Sequence, residues 1–167
     1  MLCRDRQLFW REKGYVMQKP CDDHRLIGEI LVERGFITED QLKTALAVQQ
    51  DEGSSVCLGG VLIRLGYVSE IDIVTAVVLQ CDLPYIAVTR HAIDPEVARL
   101  IPVDVAYRNH LVPLDRIGNI VSVVTLSPLD AKVRREVEAL TGCHVAMFIS
   151  TASEIDQALA RAYPVAV

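Results

Sequence analysis

Apolar residues recur at helical spacing in the first half of the chain. Two stripes with the spacing i, i+3, i+4, i+7 lie 31 residues apart, and each ends in a glutamine. This spacing is typical of one face of an amphipathic helix. The first stripe is Leu42, Ala45, Leu46 and Gln49, and the second is Ile73, Ala76, Val77 and Gln80. The pattern predicts two related helices, with their leucine and valine positions in the core.

The similarity between the two stretches extends further towards the N-terminus. Each stripe follows a short apolar segment that ends at a glycine, Gly35 or Gly66, which predicts a brief helix closed by that glycine. Thr38 and Ser69 are placed to cap the longer helices. The chain therefore predicts a tandem repeat of helical pairs. Because one such unit cannot bury its apolar face alone, two copies should pack on each other and leave a seam for a ligand or a partner.

The helical pattern ends at Leu83-Pro84-Tyr85, and an alternation of strands and helices follows. Asp94 and Thr151 are placed to cap helices. The predicted strands are Tyr85–Val88, Val112–Ile117, Asn119–Leu126 and Cys143–Phe148. The predicted helices begin at Pro95, at Val103, within Ser127-Pro128-Leu129-Asp130 and at Thr151.

These elements predict an α+β fold. A bundle of four short helices, two tandem helical pairs over residues 23–83, precedes a small α/β sandwich over residues 84–167. Residues 1–22 have no clean period and are expected to form a flexible arm, or one that Phe9 and Trp10 pin to the body or to a second copy.

Composition and charge argue against several classes of function. The chain has 167 residues, is 51% hydrophobic and carries a net charge of −5. A negative balance argues against binding DNA or RNA, which requires a basic face. No apolar run approaches the roughly 20 residues of a membrane span, and the charged first twenty residues do not resemble a signal peptide. We therefore expect a cytoplasmic protein.

Catalytic and metal-binding motifs are absent from the sequence. The five cysteines include no C-x-x-C pair, and no ligand-type residues have zinc spacing, so we expect free thiols and no metal. Phosphate-binding loops, nucleophile elbows and dinucleotide fingerprints are missing, and the four histidines are scattered. These absences predict a protein that is not an enzyme.

The paired repeats resemble a known family. LIGEILVERGFITEDQLKTALAVQ and CLGGVLIRLGYVSEIDIVTAVVLQ are similar to the tandem R-L-G-x-x-L-x-x-x-G motif, closed by glutamine, in the N-terminal domain of type II secretion and type IV pilus assembly ATPases. In its MshEN version this domain binds cyclic di-GMP. The segments AIDPEVARLIPVDVAYRNHLVPL, SPLD and LTG resemble the α/β part of the same domain. The family's ATPase core is missing from this sequence, so we expect no ATP hydrolysis.

The resemblance implies a set of positions for a cyclic dinucleotide. They are Arg25, Ile27, Gly28, Leu31, Gly35, Gln49, Leu58, Gly59, Leu62, Gly66 and Gln80. Two departures concern the arginine that opens each motif, which falls on Leu26 and on Cys57. Arginine offers forked donors to phosphate and guanine, and its loss at both places weakens the case for the ligand.

Several of these positions have a structural alternative. Gly28 and Gly59 either admit a ligand or allow close packing of helices. Gly35 and Gly66 fit helix ends better than ligand contacts. Gln49 and Gln80 either contact a ligand or donate to a neighbouring backbone.

Two hypotheses on function follow. In the first, the chain is a regulatory docking module whose partner belongs to a secretion, pilus or signalling system, since the resemblance implies docking to an inner-membrane platform. In the second, the tandem repeats sense cyclic di-GMP. Apart from that ligand we expect no cofactor, and we expect contact with the inner membrane only through a partner protein.

Overall fold

The computed structural model describes residues 26–53 and 56–164. The predicted arm over residues 1–22 and the candidate Arg25 lie outside the described residues. The contacts divide the chain into two compact units, with the boundary between Asp82 and Leu83. The part that the structure describes contains eight α-helices and one three-stranded sheet, which confirms the α+β fold class.

The N-terminal unit consists of two short helices, each followed by a longer one. They are α1 (Ile27–Glu33), α2 (Glu39–Glu52), α3 (Leu58–Arg64) and α4 (Glu70–Cys81). Reciprocal capping boxes start the two longer helices. The Thr38 hydroxyl accepts from the Gln41 N–H at 3.2 Å while the Gln41 side chain accepts from the Thr38 N–H at 2.8 Å. Ser69 and Asp72 make the same exchange, so the capping signals read from the sequence are confirmed.

Both short helices end in the same glycine motif. Gly35 has φ +74° and Gly66 has φ +71°, in the left-handed region. After α1, Phe36 N–H donates to the Leu31 carbonyl and Gly35 N–H donates to the Val32 carbonyl, each at 2.9 Å. The equivalent bonds close α3. This pair of bonds is the Schellman motif, which satisfies helix carbonyls that would otherwise have no partner.

The two repeats pack crosswise. Helix α1 packs mainly against α4, and α2 mainly against α3, so each short helix lies on the long helix of the other repeat. One apolar core forms between them. Its buried members are Ile30, Leu31, Ile37, Ala45, Val61, Leu62, Val68 and Ala76. Neither repeat therefore encloses its own core, as the repeat pattern predicted.

The C-terminal unit surrounds a three-stranded sheet with short helices. Its strands are β1 (Leu111–Ile117), β2 (Ile120–Thr125) and β3 (His144–Ile149). Its helices are α5 (Pro95–Ala98), α6 (Val103–Arg108), α7 (Ala131–Thr141) and α8 (Ala152–Ala162).

The strands are ordered β1-β2-β3. Strands β1 and β2 form an antiparallel hairpin that turns at Gly118, with Leu111 opposite Thr125 and an irregularity between Pro113 and Arg116. Helix α7 connects β2 to the parallel strand β3. This crossover is the usual way to join parallel neighbours.

The predicted strand over Tyr85–Val88 is wrong. Only an isolated bridge joins Tyr85 to Ile149: Ile149 N–H donates to the Pro84 carbonyl and Ile86 N–H donates back to Ile149, both at 2.9 Å. The chain then turns into a 3₁₀ helix at Val88–Arg90. A pairing of one residue cannot extend the sheet, because the turn removes the next backbone groups from reach.

The start of α8 is held by a carboxylate surrounded by hydroxyl groups. Glu154 accepts from the hydroxyls of Ser150 at 2.7 Å, Tyr85 at 3.0 Å and Thr151 at 3.2 Å. Burial alone would raise the pKa of Glu154, but these donors outweigh it and hold the pKa below its usual 4.5. The charged form is therefore favoured in the folded protein.

Replacing this carboxylate should remove a pH-dependent part of the stability. A carboxyl whose pKa is lowered by folding contributes stability above pH 4.5, and that contribution is lost as the pH falls through the folded value. We expect Glu154→Gln to lower the free energy of unfolding by about 1 kcal/mol at neutral pH, and by less in acid. Urea unfolding between about pH 6 and about pH 3 measures this. Asp156→Asn, on the exposed side of α8, is the control, and an equal loss in both variants would contradict the assignment.

Candidate functional site

The two positions where the family motif has arginine lie at equivalent places. Leu26 and Cys57 are the residues immediately before α1 and α3, and both have extended backbone without a side-chain capping bond. Both are exposed, Leu26 at 69%. The Leu26 N–H is satisfied by Glu29, whose side-chain oxygen accepts at 3.0 Å. A longer side chain at either position would project from the start of a short helix without disturbing the core.

Gly28 and Gly59 are sites of close packing. A Cβ atom on Gly28 would lie 2.7 Å from Leu42 Cδ1 and 3.5 Å from Leu58 Cδ2. A Cβ atom on Gly59 would lie 3.3 Å from Ile73 Cγ2. Leu42 and Ile73 occupy equivalent positions in the two repeats. Each glycine therefore leaves room for the side chain at that position of the following helix. Helix packing thus accounts for the glycines, and the space beside Gly28 is filled by leucine.

The leucines of the motif belong to the core. Leu31 and Leu62 are fully buried in the cluster shared by the repeats. Ile27 and Leu58 are half-buried and pack against that cluster. The structure therefore brings these four candidates together with Gly28, through apolar contacts.

Gly35 and Gly66 are exposed, and a Cβ atom on either would have no heavy atom within 4 Å. Their positive φ angles and the bonds described above account for both glycines as helix ends, as predicted. They lie apart from the packed candidates. Their requirement for glycine comes from backbone conformation alone.

Substituting one of these glycines tests that explanation. Gly66→Ala should lower the free energy of unfolding by about 1 kcal/mol, because an L-residue is strained at this φ. Gly60→Ala is the matched control inside α3, where alanine favours the helix and its Cβ would meet only Cys57 Sγ at 3.3 Å. Thermal unfolding of both variants measures the difference. Equal melting temperatures would show that the conformation at Gly66 is not what requires glycine.

The two glutamines close the long helices. Gln49 is half-buried and its Nε2 donates to the Val56 carbonyl at 2.7 Å. This bond ties the end of α2 to the residue that leads into the second repeat, which is the backbone alternative considered for it. Gln80 is half-buried in the last turn of α4.

The expectation that Leu46 lies in the core is wrong. Leu46 is 39% exposed, while its equivalent Val77 is only 5% exposed. The apolar positions have the same spacing on α2 and α4, but the side of α2 that bears Leu46 is exposed to solvent. Leu46 is thus an apolar side chain available on the surface.

The charge of the tandem repeat is strongly negative. Residues 26–82 contain nine carboxylates and three cationic side chains. Two of these cations are paired: Lys43 Nζ lies 3.7 Å from Asp40, and Arg64 donates to both oxygens of Glu52 at 2.6 and 2.7 Å. Cyclic di-GMP carries two phosphodiester charges of the same sign as this excess of carboxylates.

Within the described ranges, no group of three or more histidine, cysteine, aspartate or glutamate side chains is arranged to hold a metal ion. Nor is any helix in these ranges long and apolar enough to cross a membrane.

Comparison with known proteins identifies the family. A profile of the MshEN domain matches residues 81–167, about half of the chain, which includes the whole stretch from Leu83 to Val167. The chain belongs to the MshEN domain family. The match lies largely outside the tandem repeats. The family assignment from this profile therefore rests on the α/β unit, whereas the candidate ligand positions lie in the repeats.

Curated relatives include two type IV pilus assembly ATPases. The chain is 35% identical over 144 residues to the type IV pilus assembly ATPase PilB of Thermus thermophilus, and 26% identical over 137 residues to PilB of Myxococcus xanthus. These alignments cover 85% and 82% of this chain but only 16% and 24% of the relatives. The chain thus spans less than a quarter of the length of either.

Solved structures match the MshEN fold over most of the chain. A structure of MshE with cyclic di-GMP has a TM-score of 0.72 at 26% identity, covering 84% of this chain and all of that one. The N-terminal domain of XpsE has a TM-score of 0.68 at 24% identity, covering 89% of this chain and 99% of that domain. The resemblance drawn from the repeats is confirmed.

Proposed function

We propose that this chain is a non-enzymatic docking and regulatory module that binds a protein of a type II secretion or type IV pilus machinery. Membership of the MshEN family and the similarity to the N-terminal domains of pilus and secretion proteins support this role. The module acts in the cytoplasm and reaches the inner membrane through its partner. It contributes a binding surface, and no ATP hydrolysis is assigned to it.

The proposal rests mainly on the residues found at the two exposed motif positions. Leu26 and Cys57 replace both arginines while the crosswise scaffold remains complete. The surrounding unit is negatively charged, which favours a protein partner with basic groups over a phosphate ligand. The scaffold thus retains its shape while the chemistry for an anion is reduced.

Binding of cyclic di-GMP is the second candidate function. The MshE structure with this ligand matches the chain over 84% of its length, and the motif glycines and glutamines are present at the family spacing. On this hypothesis the site is formed by the eleven positions already named, with Arg25, adjacent to Leu26 in the sequence, supplying an arginine. Leu31 and Leu62, which are fully buried, would then support the ligand-contacting residues from below.

Co-purification tests the docking function. The tagged chain is co-expressed with the inner-membrane platform proteins of the secretion and pilus systems from its own genome. We expect one of them to be retained in stoichiometric amount. An unrelated tagged domain of equal size is the control. Retention of none of these proteins would reject the docking function.

Calorimetry tests the ligand. Titration with cyclic di-GMP should give no heat and no gain in melting temperature at about millimolar ligand if docking is the whole function, since any ligand of the native state stabilises it. Saturable heat at micromolar ligand would instead support the sensor.

A further inference from the structure

A groove of about 420 Å³ runs between α1 and α2 on the surface of the N-terminal unit. Its floor is apolar and its rim is charged. Leu46, the apolar side chain exposed on α2, forms part of the floor. The lining residues are Glu29, Val32, Glu33, Glu39, Leu42, Lys43 and Leu46.

The lining follows one stripe of each helix. On α2 the positions are i, i+3, i+4 and i+7, from Glu39 to Leu46, and on α1 they are i, i+3 and i+4 from Glu29. Seven residues of rise make the α2 wall roughly 10 Å long. This length matches two turns of a third helix laid along the groove, with anchors at i, i+3 or i+4, and i+7.

The rim has an acidic character. Three glutamates line it, at positions 29, 33 and 39, against the single cation Lys43. The ammonium of Lys43 lies 3.7 Å from Asp40, a carboxylate next to the groove, and this offsets its charge. A segment that carries lysine or arginine beside its apolar anchors complements this surface.

The second repeat has the same pair of helices but lacks this surface. The residues equivalent to Glu29 and Glu33 are Gly60 and Arg64. The residues equivalent to Lys43 and Leu46 are Val74 and Val77, both 5% exposed. Acidic rim and exposed apolar floor thus occur together only in the first repeat, within the described residues.

We propose that the groove between α1 and α2 binds a basic amphipathic helix of the partner protein. The proposal rests on the docking function, and it names the surface and the chemistry of the partner. The apolar face of the helix covers Leu42, Leu46 and Val32, while its lysines or arginines meet the glutamates at the rim. Covering Leu46 removes apolar surface from water, which provides the driving force, and the charges set orientation and specificity.

The charge of the groove disfavours other classes of occupant. Nucleic acids and anionic membrane surfaces present phosphate groups, which the rim carboxylates repel. An acidic helix is repelled in the same way. A basic helix alone among these gains from both the floor and the rim.

Peptide binding to the full chain provides the test. The probe is a fluorescent amphipathic peptide of about 18 residues, with leucine on one face and lysine on the other, long enough to form a helix. A peptide with glutamate in place of lysine is the control ligand. We expect saturable anisotropy change with the basic peptide and none with the acidic one.

Matched variants assign the site. Leu46→Ser and Glu39→Lys should each weaken binding of the basic peptide at least tenfold. Ile71→Ser, at a position 48% exposed on α4, and Asp51→Lys, at the far end of α2, should leave it unchanged. Equal weakening by the control variants, or no binding at all, would overturn the groove as a helix site. Circular dichroism of each variant checks the fold.

The outcomes also separate this proposal from the docking function. A platform protein that is retained equally by wild type, Leu46→Ser and Glu39→Lys would reject the groove and leave docking intact. Peptide binding at the groove without retention of any platform protein would support the groove and reject the proposed partner class. Binding seen only after deletion of residues 1–22, or dimerisation lost in Leu46→Ser, would assign the groove to the chain itself and overturn the proposal.

Discussion

Replacing Leu26 and Cys57 together with arginine should bring the Kd for cyclic di-GMP at least about a hundredfold below the millimolar range in which the wild type is expected not to bind, into the micromolar range. Charge-assisted hydrogen bonds contribute about 1.5–3 kcal/mol each, and two of them correspond to this factor or more. The substitutions should not cost stability, because both positions are exposed, extended and outside the core. Calorimetry of wild type and the double variant at moderate salt measures the change.

The control for this prediction must separate geometry from charge. Ile71→Arg with Leu79→Arg adds the same two charges at exposed apolar positions of α4, 48% and 43% accessible. We expect only a small gain from this pair, since added charge alone is screened at moderate salt. If the two double variants bind equally, or neither binds, the motif positions do not form a dinucleotide site in this chain.

Truncating Leu62 should destabilise the tandem repeat by about 3 kcal/mol. Leu62 is fully buried in the core that both repeats share, and Leu→Ala at such positions loses burial and leaves a cavity. Because α3 packs mainly on α2 of the other repeat, the loss should spread across both repeats.

Hydrogen exchange followed by mass spectrometry measures this effect by region. In Leu62→Ala we expect faster exchange in peptides from both α1–α2 and α3–α4. Leu79→Ala, which truncates a leucine 43% exposed on α4, is the control and should change exchange little. Faster exchange confined to α3 and α4 would contradict a shared core.

Helix ends were predictable because their interactions are local. The Thr38–Gln41 and Ser69–Asp72 exchanges join residues three apart, and the glycine motif at Gly35 closes within one turn. The sequence pattern contains every partner in these bonds. The α+β class followed from the same signals.

Other features depended on distant partners. Tyr85 pairs only with Ile149, far along the chain, and nothing near Tyr85 shows that the pairing stops after one residue. Leu46 and Val77 share one stripe pattern, yet one is exposed and the other buried. Exposure depends on what covers the outer face of a helix, and periodicity does not contain that information.

The sequence indicated which positions could contact a ligand, but it left open whether each of them does so or packs against a helix. The residues around Gly28 allowed a ligand or a helix neighbour, and the choice depended on where Leu42 lies. The acidic groove was not predicted at all. Its signal was present as glutamates at positions 29, 33 and 39 beside an apolar stripe, but only the packing of α1 against α2 shows that they line one surface.

The crosswise packing of the two repeats makes the N-terminal unit a single-chain dimer. A fragment with one repeat alone would leave α1 without α4 and α2 without α3, so two such fragments would have to associate to close one core. The short connection after α2 acts as a tether that holds the halves at high effective concentration. Cutting this tether should therefore turn folding of the unit into a concentration-dependent assembly of two separate peptides.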